Sequence, residues 1–302
     1  MADFSLYRGK YLDPKADLTF KKIFAGHPDL LISLLNALLP LTTDQQIESV
    51  EYLPVELIPK DPLHKDTLVD VRCRDIKGRQ FLVEMQMAWT SAFKQRVLFN
   101  ASKAYVIQAE KGLRYEKLQP VYSLNLVNDI FEPNSDDFIY NYNIVCDNDS
   151  KKIIEGLHFT FIELPKFKPQ NIKEMKMAVL WLKFLTEIDS NTKDVPADLL
   201  GSPEICKALD ELEVSAFSDA ELRTYEKFWD VVSSERTLME GKYEEGKAKG
   251  MEEGMAKGMA KGMEEGMAKE KLNIAYRMLQ TGMSASEISS ITGLPLKEIE
   301  NL

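Results

Sequence analysis

Residues 67–87 read TLVDVRCRDIKGRQFLVEMQM. Two runs rich in β-branched and aromatic residues flank a short polar stretch, which is the pattern of a β-hairpin. The length of its loop decides which side chains share a face. A two-residue loop, Ile76-Lys77, would demand positive φ at a β-branched isoleucine, which is sterically costly. A three-residue loop, Ile76-Lys77-Gly78, puts Gly78 at the left-handed position of a type I turn followed by a bulge. Asp75 then faces Arg79, Arg72 faces Leu82, Asp70 faces Glu84 and Leu68 faces Gln86. Val69, Val71, Cys73, Phe81, Val83, Met85 and Met87 fall on the opposite face and read as core.

This register sets two carboxylates, Asp70 and Glu84, side by side with Cβ atoms about 5 Å apart. They repel, so a proton, a basic side chain or a divalent cation must compensate. Paired hard oxygen donors suit Mg²⁺ or Mn²⁺, which could act on a phosphodiester. Arg72 and Arg74 share the face of Asp70 and offer the other solution, a solvated ladder of ion pairs. The residue types leave both open.

Outward from the hairpin, residues 15–39 read as two helices. Phe20, Ile23 and Phe24 form an apolar stripe at helical spacing, Pro28 stands near the start of the second helix, and Pro40 stops it. A strand is expected over 47–55. A long helix is expected over 92–111, ended by Gly112. Three strands follow at 120–129, 138–146 and 157–164, and the chain reads as helical from about 170. Strands mixed with helices in this order predict an α/β fold with helices flanking a mixed sheet, and an all-helical C-terminal extension.

Within that extension, Gly recurs at 246, 250, 254, 258, 262 and 266, with Met following it from Met251 to Met267. On a helix this period of four makes the Gly-Met stripe drift about 40° per repeat. Each Gly costs the helix about 1 kcal/mol. Small residues permit close backbone approach, so the stripe suits either pairing with a second copy as a homodimer or a solvated connector. The last segment contains SASE, a capping-box pattern at Ser284 and Glu287. Its GMSASEISSITGLPLKEI resembles a helix-turn-helix. The second helix carries one Lys against two Glu, which argues for assembly or docking over DNA reading.

The chain has 302 residues and a net charge of −10. Charge is unevenly placed. Residues 60–117 hold 12 Lys/Arg against 7 Asp/Glu, while residues 166–302 hold 19 against 25. A polyanion would therefore land near the hairpin, whatever the overall charge. The longest apolar patch, MAVLWLKFL at 177–185, is too short for a bilayer and contains Lys183, so no membrane partner is expected. The N-terminal MADFSLYRGK lacks a signal-peptide pattern. Cys73, Cys146 and Cys206 lie far apart without metal-type spacing and read as reduced thiols of a cytoplasmic protein.

The hairpin, with Asp70 on one strand and Glu84-x-Gln86 on the next, resembles the motif of the PD-(D/E)XK nuclease superfamily. The order helix, three strands, helix, strand is similar to its restriction-endonuclease-like core. More specifically, the chain resembles PD-(D/E)XK nuclease family transposases, related to the recombination-promoting nucleases. The residues that carry the likeness are Asp17-Leu18-Thr19-Phe20-Lys21-Lys22-Ile23-Phe24, Leu35-Asn36-Ala37-Leu38-Leu39, Leu68-Val69-Asp70-Val71, Glu84-Met85-Gln86, and Arg96 followed by Tyr105. The resemblance implies a Mg²⁺- or Mn²⁺-dependent DNA endonuclease serving recombination or a mobile element. It implies that Asp70, Glu84 and the carbonyl of Met85 hold the metal.

Gln86 stands where the family's motif has Lys. It can orient a water but carries no charge, and Lys65 or Lys21 is a candidate for the missing cation. Asp17 is a candidate third acid or a helix N-cap. Lys21 and Arg96 are candidate DNA-phosphate contacts. The alternative is a weakened or inactive nuclease-fold module that acts through its helical tail. Four segments follow from this reading: a nuclease-like core over 1–165, a helical subdomain over 166–240, the Gly-x3 repeat as a helix over 241–271, and a small helical tail over 272–302.

Overall fold

The structure, a computed structural model, describes residues 9–57, 67–109, 114–169 and 176–302. Two helices come first, α1 (Asp17–Phe24) and α2 (Pro28–Leu38). Five strands follow: β1 (Val50–Tyr52), β2 (Glu56–Leu57), β3 (Thr67–Leu68), β4 (Val71–Asp75) and β5 (Gln80–Gln86). Helix α3 (Phe93–Ile107) leads to β6 (Val121–Val127), β7 (Ile139–Cys146) and β8 (Asp149–Glu163). Helices α4 (Lys176–Glu187), α5 (Pro203–Asp210), α6 (Asp219–Gln280), α7 (Ala285–Thr292) and α8 (Leu296–Ile299) complete the chain. Gly112, the expected end of the long helix, lies outside the described residues.

The hairpin β4–β5 has the expected register, with Arg72 opposite Leu82 and Val71 opposite Val83. Gly78 sits at φ +84°, and its N–H donates to the Asp75 carbonyl at 2.9 Å. Arg79 locks the turn: its guanidinium pairs with the buried Asp75 carboxylate at 2.7 Å. A Cβ at Gly78 would lie 3.1 Å from Gln119 Cγ. Gly78→Val is therefore expected to cost about 1–2 kcal/mol, the usual penalty of a left-handed L-residue. Guanidinium unfolding would show it as a lower midpoint at unchanged slope; an unmoved midpoint would refute it.

The ladder does not run on to Leu68. It ends at Val71, and β3 leaves to pair with β2, placing Leu68 opposite Glu56. A continued ladder would send the Met85 N–H to the Val69 carbonyl and the Val69 N–H to the Met85 carbonyl. Instead the Asp70 carboxylate accepts from Met85 N at 2.7 Å, and Val69 N donates to the Val55 carbonyl at 3.2 Å. The side chain substitutes for main chain, and the strand turns outward there. Val69 consequently leaves the face of Val71 and packs with Leu82, Ala101 and Ala104. The expected pairing of Leu68 with Gln86 and the expected place of Val69 are both corrected by this one bend.

The main sheet runs β1-β4-β5-β6-β8-β7. Strands β5, β6 and β8 are parallel and the remaining pairs antiparallel. One face, with Val71, Cys73, Phe81, Val83, Leu124 and Ile162, packs against α1, α2, α4 and α5 in a single cluster. The other face is covered by α3, through Ala101 and Ala104 on Leu82 and through Phe93 and Val97 on Phe161. Helices α4 and α5 thus share the core of the sheet. Trp181 of α4 is fully buried, 5.4 Å from the Phe24 ring, and donates to Ser33 Oγ at 3.0 Å.

Two compact units divide the chain, Met1–Ser234 and Glu235–Leu302. Helix α6 crosses the division and contains the whole Gly-x3 repeat. Met251, Met255, Met259, Met263 and Met267 are all exposed. In the second unit Ala275, Ile288 and Ile299 form a small core, and Ser284 and Glu287 make a reciprocal capping box. No helix among the described residues is long and apolar enough to cross a membrane.

Candidate active site

Asp70 lies at the bend before β4 and Glu84 in mid-β5, so where the ladder ends the two carboxylates are near enough to repel each other. Glu84 is buried and Asp70 partly buried. Burial is the largest influence on each and pushes both carboxyls above the ordinary range. Three nearby groups oppose it at Asp70: the Met85 N–H first, then Lys21 and Arg96. At Glu84 the Asn100 amide and Arg96 oppose it, while Asp70 adds repulsion. Arg72 and Arg74, the alternative neutralisers, are engaged elsewhere. Arg72 binds Gln80 and the Pro54 carbonyl, and Arg74 binds Glu51 at 2.8 Å.

Helix α3 supplies the neighbours of Glu84 and Gln86. Asn100 Nδ2 donates to Glu84 Oε1 at 2.9 Å. One turn earlier, an Arg96 terminal nitrogen (Nη2) lies 3.5 Å from Glu84 Oε2 and donates to Gln86 Oε1 at 2.6 Å. Gln86 Nε2 donates to the Ala88 carbonyl at 2.7 Å, which leaves its oxygen facing Arg96 with a second lone pair for water. Asp17 is not an N-cap. Ala16 caps α1, and the Asp17 carboxylate pairs with Lys21 at 2.6 Å, one turn along. Both reach Asp70 electrostatically.

The donor set suits a hard divalent cation. Among the described residues no group of three or more His, Cys, Asp or Glu is gathered for a metal. Mg²⁺, however, binds through one or two carboxylates and keeps several waters. The Met85 carbonyl opens on the same side, because Gln86 turns its own carbonyl to Asn128 N of the loop after β6 and Val69 has left the ladder. Buried Asn100 Oδ1 has no hydrogen-bond partner, as expected where a water belongs.

The sequence profile of the PD-(D/E)XK nuclease family transposase matches residues 14–238. The chain belongs to this family. Comparison with curated proteins and with solved structures returned no match. The mixed six-stranded sheet between helices is the α/β arrangement of PD-(D/E)XK proteins.

In this family member the structure brings together Asp70, Glu84, Met85, Gln86 and Arg96, with Asp17 and Lys21 beside them. Lys65 lies outside the described residues. Arg96 touches Glu84 and Gln86 directly, where the sequence had suggested only a phosphate contact. Asn100 was missed altogether. Its signal was present: it stands four residues after Arg96, a polar side chain on the buried face of α3 that also holds Val97, Ala101 and Ala104.

Proposed function

We propose that this protein is a Mg²⁺- or Mn²⁺-dependent endonuclease that hydrolyses phosphodiester bonds in DNA, of the transposase or recombination-promoting kind. The observation that carries this reading is the convergence of the Asp70 and Glu84 carboxylates where β4 parts from β5. A buried acid and a partly buried one that repel each other are costly unless their charge is used. The cation, when bound, supplies Lewis-acid stabilisation of negative charge developing on the phosphodiester.

The chain's own residues do the rest. Asp70, Glu84 and the Met85 carbonyl would hold the ion. Gln86 offers its free lone pair to the attacking water. Asp17 acts as a third acid through water. Lys21 and Arg96 face the phosphates of the DNA, and Lys65 remains a candidate for the missing cation. Hydrolysis joins the water oxygen to phosphorus and breaks one P–O ester bond, with the water proton ending on the leaving oxygen. The free cysteines fit a cytoplasmic setting. The exposed Met stripe of α6 is the surface through which two copies would pair; monomers in sedimentation at micromolar concentration would rule this out.

The test is incubation of purified protein with supercoiled DNA, with and without Mn²⁺. Wild type is expected to nick it only with the metal, and Asp70→Ala to be inert. Equal cleavage by both would sink the assignment. One observation favours a second reading, a non-catalytic module: the Gln86 amide is engaged at both ends, by Arg96 and Ala88. Calorimetric titration with Mn²⁺ separates the two. Binding that Glu84→Ala abolishes supports the enzyme.

A further inference from the structure

We propose that Arg96, reaching in from α3, is the catalytic cation of this site and takes the part that a lysine at position 86 would otherwise play. This rests on the nuclease reading above and names the residue that carries its positive charge.

Lysine at position 86 would extend from β5 beside Glu84 and place an ammonium near the phosphate. This chain has an amide there, so β5 itself supplies no charge. The geometry shows where the charge has gone. A single Arg96 nitrogen, Nη2, meets both Gln86 Oε1, at 2.6 Å, and Glu84 Oε2, at 3.5 Å. Gln86 is oriented for this purpose. Its Nε2 is held by the Ala88 carbonyl, so its oxygen must point at the guanidinium. An uncharged acceptor at 86 is what a guanidinium arriving from another element needs, whereas a lysine there would repel it.

The other cations near the opening are placed differently. Lys21 is tied to Asp17 at 2.6 Å. Lys94 is paired with Glu132 at 3.2 Å and lies over the Phe131 ring at 4.9 Å. Arg96 alone, among the described residues, touches the acid and the amide of the motif strand. Its guanidinium packs on the Phe93 ring at 4.9 Å, which fixes its approach. Its side chain is half exposed, and its Nε and Nη1 donors have no partner among the described residues. Those donors can form a fork on two phosphate oxygens while Nη2 stays anchored.

Relocation of the charge is the test. Four proteins would be compared: wild type, Arg96→Gln, Gln86→Lys, and the double variant Arg96→Gln/Gln86→Lys. Three readouts would be taken: single-turnover cleavage of supercoiled DNA in Mn²⁺, binding of a short fluorescent duplex in Ca²⁺, and Mn²⁺ affinity by calorimetric titration. Arg96→Gln is expected to slow cleavage about 10²-fold or more and weaken duplex binding about tenfold, with Mn²⁺ affinity kept or tightened. The double variant should recover at least about tenfold of the lost rate. The single Gln86→Lys variant should be poorer than wild type, because it sets two cations against each other.

Unchanged duplex affinity in Arg96→Gln overturns the proposal, whether or not the wild type cleaves. Lost cleavage that Gln86→Lys fails to restore, with Mn²⁺ binding intact, overturns it too. If wild type binds the duplex through Arg96 yet never cleaves, the nuclease reading falls while the placement of the charge stands.

Discussion

Glu84→Gln is expected to abolish cleavage and, in the same protein, to raise the thermal stability of the metal-free chain. The first effect follows from the loss of one of the two carboxylates proposed to hold the ion, and about 10³-fold or more in rate is at stake. The second follows from burial. Glu84 is enclosed between β5 and α3, and its carboxyl is pushed above the ordinary glutamate range mainly by that enclosure. A carboxyl that holds its proton more tightly folded than unfolded makes the folded state lose stability as pH rises from the unfolded pKa through the folded one. The penalty grows across that window and is complete once the pH is above the folded value.

Glutamine keeps an oxygen for Asn100 and removes the charge, so a gain of about 1 kcal/mol, roughly 2–4 °C in Tm, is expected. The gain should fade below about pH 4, where the unfolded carboxyl is also protonated. Asp70→Asn should behave alike, since burial dominates there too. Differential scanning calorimetry at pH 7.5 and pH 4 checks the sign. Adding Mn²⁺ should reverse the order, because only the wild type gains from binding, by about 2.7 kcal/mol at a hundredfold excess over Kd. A Glu84→Gln protein less stable than wild type at pH 7.5 without metal would show that the acid is structural.

Trp181→Ala is expected to lower the stability of the nuclease core by about 3–5 kcal/mol, although position 181 lies beyond the sheet strands. Trp181 is enclosed by Phe24 and Phe184 and donates its indole N–H to Ser33, so one side chain joins α1, α2 and α4. Removing it leaves a large cavity in the cluster shared by the sheet and the later helices. Urea unfolding followed by far-UV circular dichroism should give one earlier transition for the sheet and α4 together. A loss below about 1 kcal/mol, or a separate early transition of the helices, would show that α4 and α5 fold on their own.

Local rules carried most of the fold. The turn Ile76-Lys77-Gly78 could close in one way only, because positive φ falls to Gly78, and that fixed the β4–β5 register. The same rules located both helices before the sheet, the strands β6 and β7, the second half of β8, and the capping box at Ser284. Alternation along β5 put Glu84 and Gln86 on one face. What the sequence could not contain was where the ladder stops. That depends on a competition at Met85 N, between the Val69 carbonyl and the Asp70 side chain, and the side chain wins at 2.7 Å. Nothing local in LVDV distinguishes a strand that continues from one that breaks.

Arg96 and Asn100 show the same limit across a longer distance. Their spacing of four residues said that they share a face of a helix, and no more. That this face meets Glu84 and Gln86 follows from α3 packing on Leu82 and Phe161. Sequence by itself determined which side chains neighbour each other along a strand or helix, because backbone periodicity sets that within a few residues. Tertiary structure decided which cation lies beside Glu84 and Gln86, because that depends on how a helix settles on a sheet.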